Sequence, residues 1–172
     1  MDSMEPKTKM KTHARLGFSS MDTAEMVTTM NKLIANYHIF YQKLRSFHWN
    51  VTGQDFFDLH GKFEDLYTAS VNNIDDIAER VRVFGTAPMS SLKEYLEIAE
   101  IQESDKQLSA MQMTREVLDD IEILDSFMLE VVDAAGSVGD AATMDMMNSM
   151  MRNLEKEHWM LSAWLNEPKK TN

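Results

Sequence analysis

Two pairs of side chains near the middle of the chain have the types and spacing that hold a metal ion. His60 precedes Glu64 by four residues, and Asp75 precedes Glu79 by four. On a helix this spacing brings both members of a pair to one face, one turn apart. Nitrogen and oxygen ligands without sulfur suit iron, manganese or zinc. Acidic pairs are also common on solvated helix faces, so one pair alone is a weak signal.

A further histidine strengthens the metal interpretation. His48 lies upstream of His60, beside Phe47 and Trp49. These bulky aromatic neighbours indicate that the imidazole is held in a partly buried place. The candidate ligands are therefore His48, His60, Glu64, Asp75 and Glu79.

The distance between the two pairs restricts how they can be used. Glu64 and Asp75 are separated by roughly 16 Å along one continuous helix, so a single metal ion cannot contact both. Either the chain has two separate sites, or a two-fold axis brings His60 and Glu64 of one copy to Asp75 and Glu79 of another. The spacing leaves both arrangements open.

Apolar residues recurring at steps of three and four predict the helices that carry these groups. The apolar stripe of the first helix includes Met26, Leu33 and Phe40, and that of the second includes Tyr67 and Val71.

The first helix is predicted to begin at Asp22, with Glu25 completing a capping box, and to end near Gly53. The third long helix is predicted to begin at Ser104 with Gln107 as its capping partner. The predicted ranges are 22–51, 55–84, 91–98, 104–133 and 140–165. The fold class is therefore all-α, a four-helix bundle with a short helix between the second and third long helices, which is the ferritin-like arrangement.

Composition agrees with one helical domain. The 172 residues include only six glycines and three prolines, and this scarcity of turn residues favours few, long helices. The absence of cysteine excludes thiolate ligands. We divide the chain into a flexible basic tail (1–20), the bundle (21–167) and a short C-terminal tail (168–172). No apolar run approaches a membrane span and no signal peptide is present, so we expect a cytoplasmic protein with no membrane partner. The net charge of −11 argues against nucleic acid as the default partner.

The stretch from His48 to Tyr67, continuing through Asp75-Asp-Ile-Ala-Glu79-Arg80, resembles the signature of the Dps proteins, mini-ferritins that protect DNA in starved cells. The 85–98 segment and the Trp159–Leu165 ending also fit, so the resemblance covers nearly all of the chain from about Met21.

The resemblance implies a ferroxidase centre between two-fold-related subunits. His48, His60 and Glu64 would come from one subunit and Asp75 and Glu79 from its partner. It also implies a hollow dodecamer that binds Fe(II), oxidises it with H2O2 in preference to O2, and stores ferric mineral. Trp49 matches a tryptophan that intercepts stray oxidising equivalents, and aromatic packing is its alternative role. Many family members have aspartate at the position of Glu64.

Two further functions follow from the resemblance. Asp140 and Asp145 are candidates for an iron-entry pore, with helix capping as the alternative role of Asp140. Basic tails bind DNA in some members, and this chain has Lys7, Lys9, Lys11 and Arg15, but the acidic body disfavours such binding. An iron-storing ferroxidase is thus the leading hypothesis. A DNA-compacting structural protein with secondary iron oxidation is the alternative, and a helical bundle without metal is the third. The methionines clustered at 144–151 are expected to be core filler.

Overall fold

The computed structural model describes residues 15–104 and 107–165. A short 3-10 turn at Arg15–Gly17 precedes five α-helices, and the described residues contain no strand. The prediction of four long helices with a short one between the second and third is confirmed. Their bounds are α1 Ser20–Asn50, α2 Phe56–Val83, α3 Leu92–Ile98, α4 Ala110–Val138 and α5 Ala141–Leu165.

The predicted start of α1 is wrong by one turn. Ser19 is the N-cap, accepting from the amide of Asp22, while the Asp22 carboxylate accepts from the Ser19 amide at 2.8 Å. Asp22 is therefore the third residue of the helix and not its cap. Because Ser and Asp are both good N-caps, the sequence contains two overlapping capping boxes, Ser19 with Asp22 and Asp22 with Glu25. Phe18, inside the predicted tail, packs edge-on against Phe84 at 5.9 Å.

The predicted bounds of α4 are also wrong. The helix begins after Ser109, which forms a capping box with Gln112, and not at Ser104 with Gln107. At the other end it passes Asp133 and stops at Gly139. That glycine has φ 72°, a left-handed conformation that ends helices and that other residues rarely adopt. Gly136, predicted to lie in the turn, is helical.

The helices pack around one apolar core. Helix α1 lies against α2, α3 and α4, and α4 lies against α5. The predicted stripe of α1 is confirmed, with Met26, Leu33 and Phe40 fully buried. The methionine cluster of α5 is core filler as expected, since Met147 and Met150 are buried. Val71, which the apolar periodicity assigns to the stripe of α2, is instead 46% exposed.

Ion pairs join the layers across this core. Lys43 of α1 and Asp120 of α4 are both buried, and the Lys43 Nζ lies 2.7 Å from Asp120 Oδ2. Helices α2 and α5 are linked by Lys62 and Glu157 at 2.9 Å.

No helix among the described residues is long and apolar enough to cross a membrane. The lysines of the predicted basic tail, at 7, 9 and 11, lie outside the described residues.

Candidate metal centre

The last turn of α1 and the first turns of α2 bring His48 and His60 together. Between them the chain reverses over 51–55, and Gly53 has φ 115°, which a side chain would disfavour. The reversal makes α1 and α2 antiparallel neighbours. Two histidines separated along the chain therefore meet at one end of the bundle.

The two imidazoles hold each other through backbone carbonyls. His48 Nδ1 lies 2.8 Å from the carbonyl oxygen of His60, and His60 Nδ1 lies 2.8 Å from the carbonyl oxygen of His48. A carbonyl only accepts, so each Nδ1 donates its hydrogen. In the neutral rings both Nε2 atoms then carry a free lone pair, which is the form of imidazole that binds a metal.

Stacking and burial fix the rings further. The ring centroids of His48 and His60 are 3.7 Å apart, with 19° between the ring planes. Phe56 stacks on the His60 ring, with 5.0 Å between the centroids. The expectation that His48 is held in a partly buried place is confirmed, because only 9% of it is exposed. The pair is thus preorganised before any metal binds.

Glu64 completes a group of three on the same chain. One ligand atom each from His48, His60 and Glu64 lies within 4.8 Å of the others, and no other such group exists among the described residues. Glu64 follows His60 by one turn of α2 and is exposed. Two nitrogens and one carboxylate at this spacing can hold a divalent transition metal.

Tyr67 is the neighbour of this group that sequence reasoning missed. Its hydroxyl donates to Glu64 Oε1 at 3.3 Å, and its ring meets that of His48 edge-on at 5.5 Å. Partial burial first, and then the Glu64 charge, raise the pKa of Tyr67, so the phenol stays a donor. The apolar periodicity of α2 predicts only a core role for Tyr67, and its position three residues after Glu64 is the signal that indicates the polar contact.

Asp75 and Glu79 lie elsewhere on α2. Both are exposed, and the structure does not bring either into the group of three. Trp49, beside His48, is 58% exposed, and the Arg45 guanidinium lies 4.7 Å from its ring centroid. One chain therefore presents the predicted ligands at two separate places, one where α1 meets the start of α2 and one farther along α2.

The two candidates for the pore differ in their surroundings. Asp140 is buried, and Arg80 Nη2 donates to both of its oxygens at 2.7 and 2.9 Å. Thr143 donates to it through its amide and its hydroxyl, the N-cap pattern of α5. Although burial acts to raise it, these bonds hold the pKa of Asp140 below its usual value. Capping, the alternative role, is what the structure shows for Asp140, whereas Asp145 is exposed.

Comparison with known proteins places the chain in a family. The model of the ferritin-like domain matches residues 27–171. General stress protein 20U of Bacillus subtilis is 40% identical over 141 residues, which are 82% of this chain and 97% of that protein. The DNA protection during starvation protein 2 of Bacillus anthracis is 38% identical, over 83% of this chain and 98% of its own length.

Solved structures agree. The Dps protein of Vibrio cholerae, described as a member of the ferritin-like diiron-carboxylate proteins, matches with a TM-score of 0.84 and 36% identity, over 87% of this chain and 94% of that one. A Dps protein from Bacillus brevis matches with a TM-score of 0.82 and 38% identity, over 86% and 99%. The fold and these matches show that the chain belongs to the Dps family of ferritin-like proteins.

Proposed function

We propose that this protein is an iron-storing ferroxidase, which binds Fe(II) as its substrate at His48, His60 and Glu64. The observation that carries the proposal is the reciprocal pair of histidine-to-carbonyl bonds, which directs both Nε2 lone pairs away from the backbone. His48 is buried and His60 half-buried, so both Nε2 atoms are held in place and are available to a metal ion. Two imidazoles and one carboxylate bind Fe(II) with moderate strength, so that Fe(III) can leave.

The remaining ligands in this proposal come from a second copy of the chain. Asp75 lies roughly 16 Å and Glu79 roughly 22 Å along α2 from Glu64, so neither can bind the same ion as Glu64 within one chain. A two-fold axis would supply them to the partner's histidines, twice per dimer. The end of the bundle near the histidines has the exposed apolar side chains that such contact needs, since Trp49 is 58% and Phe57 85% exposed. Six such dimers would complete the hollow dodecamer.

Hydrogen peroxide is the oxidant that a paired iron site uses best. Two Fe(II) ions give one electron each, and the O–O bond accepts both: 2 Fe²⁺ + H2O2 + 2 H2O → 2 FeO(OH) + 4 H⁺. Because both electrons arrive together, no hydroxyl radical is released. O2 is the slower alternative oxidant. The ferric product collects as mineral inside the shell. Asp145 is the remaining candidate for lining the pore through which iron enters.

Protection of DNA, which the names of several relatives mention, would follow from this chemistry. Removing Fe(II) and peroxide together removes the reagents that damage DNA. Direct binding through basic tails is the weaker alternative, because the phosphate backbone repels a body with a net charge of −11.

Anaerobic titration with Fe(II), followed by one peroxide for every two Fe(II), tests the proposal. We expect the wild-type protein to form ferric species without spin-trapped hydroxyl radical. His60→Ala removes one ligand and also the donor to the His48 carbonyl. We expect this variant to bind Fe(II) at least about tenfold more weakly and to release radical.

His158→Ala is the matched control, because His158 lies on α5 beside Glu122 and outside the group of three. It should behave as the wild type does. Equal Fe(II) binding and equal radical suppression in the wild type and in His60→Ala would contradict a ferroxidase centre at this place.

A further inference from the structure

We propose that Tyr67 is a positioning residue, which holds Glu64 as a ligand through one oxygen only. The inference rests on the proposed metal centre and deepens it. It concerns the way in which the Glu64 carboxylate meets the ion, which the positions of the ligands alone leave undefined.

The first support is the hydrogen bond itself. The Tyr67 hydroxyl donates to Glu64 Oε1 at 3.3 Å. A carboxylate that uses one oxygen as an acceptor keeps the other, here Oε2, for the metal. Partners of this kind orient the ligands of metal sites and tune their strength.

The second support is the way Tyr67 joins both helices of the site. Its ring lies edge-on to His48 of α1 at 5.5 Å and edge-on to Tyr41 of α1 at 6.0 Å. These contacts fix the ring between the helices, so the hydroxyl has a defined place. Tyr67 therefore touches one ligand from α1 and one from α2.

The third support is the length of the Glu64 side chain. Glutamate has one more methylene group than aspartate and one more rotatable bond. Without a partner, an exposed glutamate turns freely and can chelate an ion with both oxygens. The Tyr67 hydroxyl removes that freedom, and among the described residues it is the one group that forms a hydrogen bond with Glu64. The phenol thus compensates for the longer carboxylate.

Co(II) is a suitable probe, because its visible absorption reports coordination number and it does not react with O2 at this kind of site. Tyr67→Phe keeps the ring contacts and removes only the hydroxyl. We expect it to weaken Co(II) affinity by roughly tenfold. We also expect weaker, shifted visible bands from the bound ion, as the freed Oε1 raises the coordination number.

Tyr41→Phe is the matched control. It removes a hydroxyl from the neighbouring ring, which forms no hydrogen bond to Glu64, His48 or His60 among the described residues. Its Co(II) spectrum should equal that of the wild type. A Tyr67→Phe spectrum equal to the wild type's would overturn the proposal, because a purely structural tyrosine alters how much Co(II) binds and not how it is coordinated.

Glu64→Asp gives an independent check. The shorter carboxylate withdraws from the hydroxyl, so Tyr67→Phe should have little further effect in this background, and the two changes should be strongly non-additive. Full additivity would also overturn the proposal. If the wild-type protein binds neither Co(II) nor Fe(II) when each is added alone, the metal centre itself fails, and that result is distinct from normal binding with an unchanged Tyr67→Phe spectrum.

Discussion

At the scale of single residues, the hydrogen bonds between the two histidines determine what the site can do. Each Nδ1 donates to the other residue's carbonyl at 2.8 Å. One pair of contacts therefore sets the tautomer of both rings and closes the end of the bundle. In the proposed metal centre, metal affinity and local structure depend on the same atoms, so losing either imidazole should affect both.

This arrangement predicts the tautomers of the free protein. In mildly alkaline solution, long-range ¹H–¹⁵N correlation spectra should show His48 and His60 protonated at Nδ1, with Nε2 unprotonated. Adding Zn(II) should shift the Nε2 signals of these two rings. His158, outside the group of three, should be unaffected by the metal. Protonation at Nε2 in either ring without metal would contradict the bonds described.

The residue types of the site were predictable, whereas their orientation was not. Spacing on α2 identified His60 and Glu64, and aromatic neighbours identified His48. The carbonyl partners could not be foreseen, because backbone atoms appear in every residue and only the fold selects which of them meet. For Tyr67, an apolar ring with a polar tip fits a core position and a hydrogen bond equally well, so periodicity assigned it to the core alone.

At the scale of the helices, the Arg80–Asp140–Thr143 network fastens the start of α5 to the end of α2. Arg80 follows Glu79 directly, and its Nη2 lies 2.7 Å from Asp140 Oδ1. Its guanidinium also covers the ring of Phe84 at 4.8 Å. The network therefore fixes the end of α2 next to the Glu79 backbone.

Asp140→Asn should destabilise the fold by about 3 kcal/mol at neutral pH, because it leaves the Arg80 charge without its partner. The pKa of Asp140 is lowered in the folded protein, so its contribution is present above the unfolded pKa and is lost as pH falls through the folded one. The stability difference between wild type and variant should therefore shrink below about pH 4. Thermal unfolding across a pH series, at equal protein concentration, measures this.

Asp145→Asn, an exposed change on the same helix, is the control and should alter stability by less than about 0.5 kcal/mol. A pH-independent difference for Asp140→Asn would mean that the carboxylate charge does not carry the effect.

Helix identity was predictable, and so were the starts of α2, α3 and α5. The starts of α1 and α4 were not, for a reason that these two helices share. Each true capping box, Ser19 with Asp22 and Ser109 with Gln112, lies within five residues of a second sequence with the same pattern. Local hydrogen bonding alone does not choose between them. Tertiary contacts do, as when the buried Asn36 side chain accepts from the amides of Glu100 and Ile101 at 2.9 Å and fixes the approach to α4.

At the scale of the whole molecule, the separation between the two ligand sets is the feature that a single chain leaves unexplained. His48, His60 and Glu64 form one group, and Asp75 and Glu79 are exposed farther along α2. If the sets act in separate sites, each chain is self-sufficient. If they meet across a two-fold axis, activity belongs to pairs of chains.

Mixing two defective chains separates these cases. Neither His60→Ala nor Glu79→Ala alone should oxidise Fe(II) efficiently. In a mixed dimer, one site receives both defects and the other receives none, so random mixing should restore about a quarter of the sites. The measurement is the initial rate of Fe(II) oxidation by peroxide after the two proteins are co-expressed, purified through different tags, and compared with each variant alone.

Mixing the same variants after separate assembly is the control and should restore nothing, because closed assemblies do not exchange subunits during a short assay. Recovery to about a quarter of wild-type activity requires a shared site. Absence of recovery in co-expressed protein that contains both chains would instead show that each chain uses its own ligands, and the interface proposal would be abandoned while the histidine group on α1 and α2 remained.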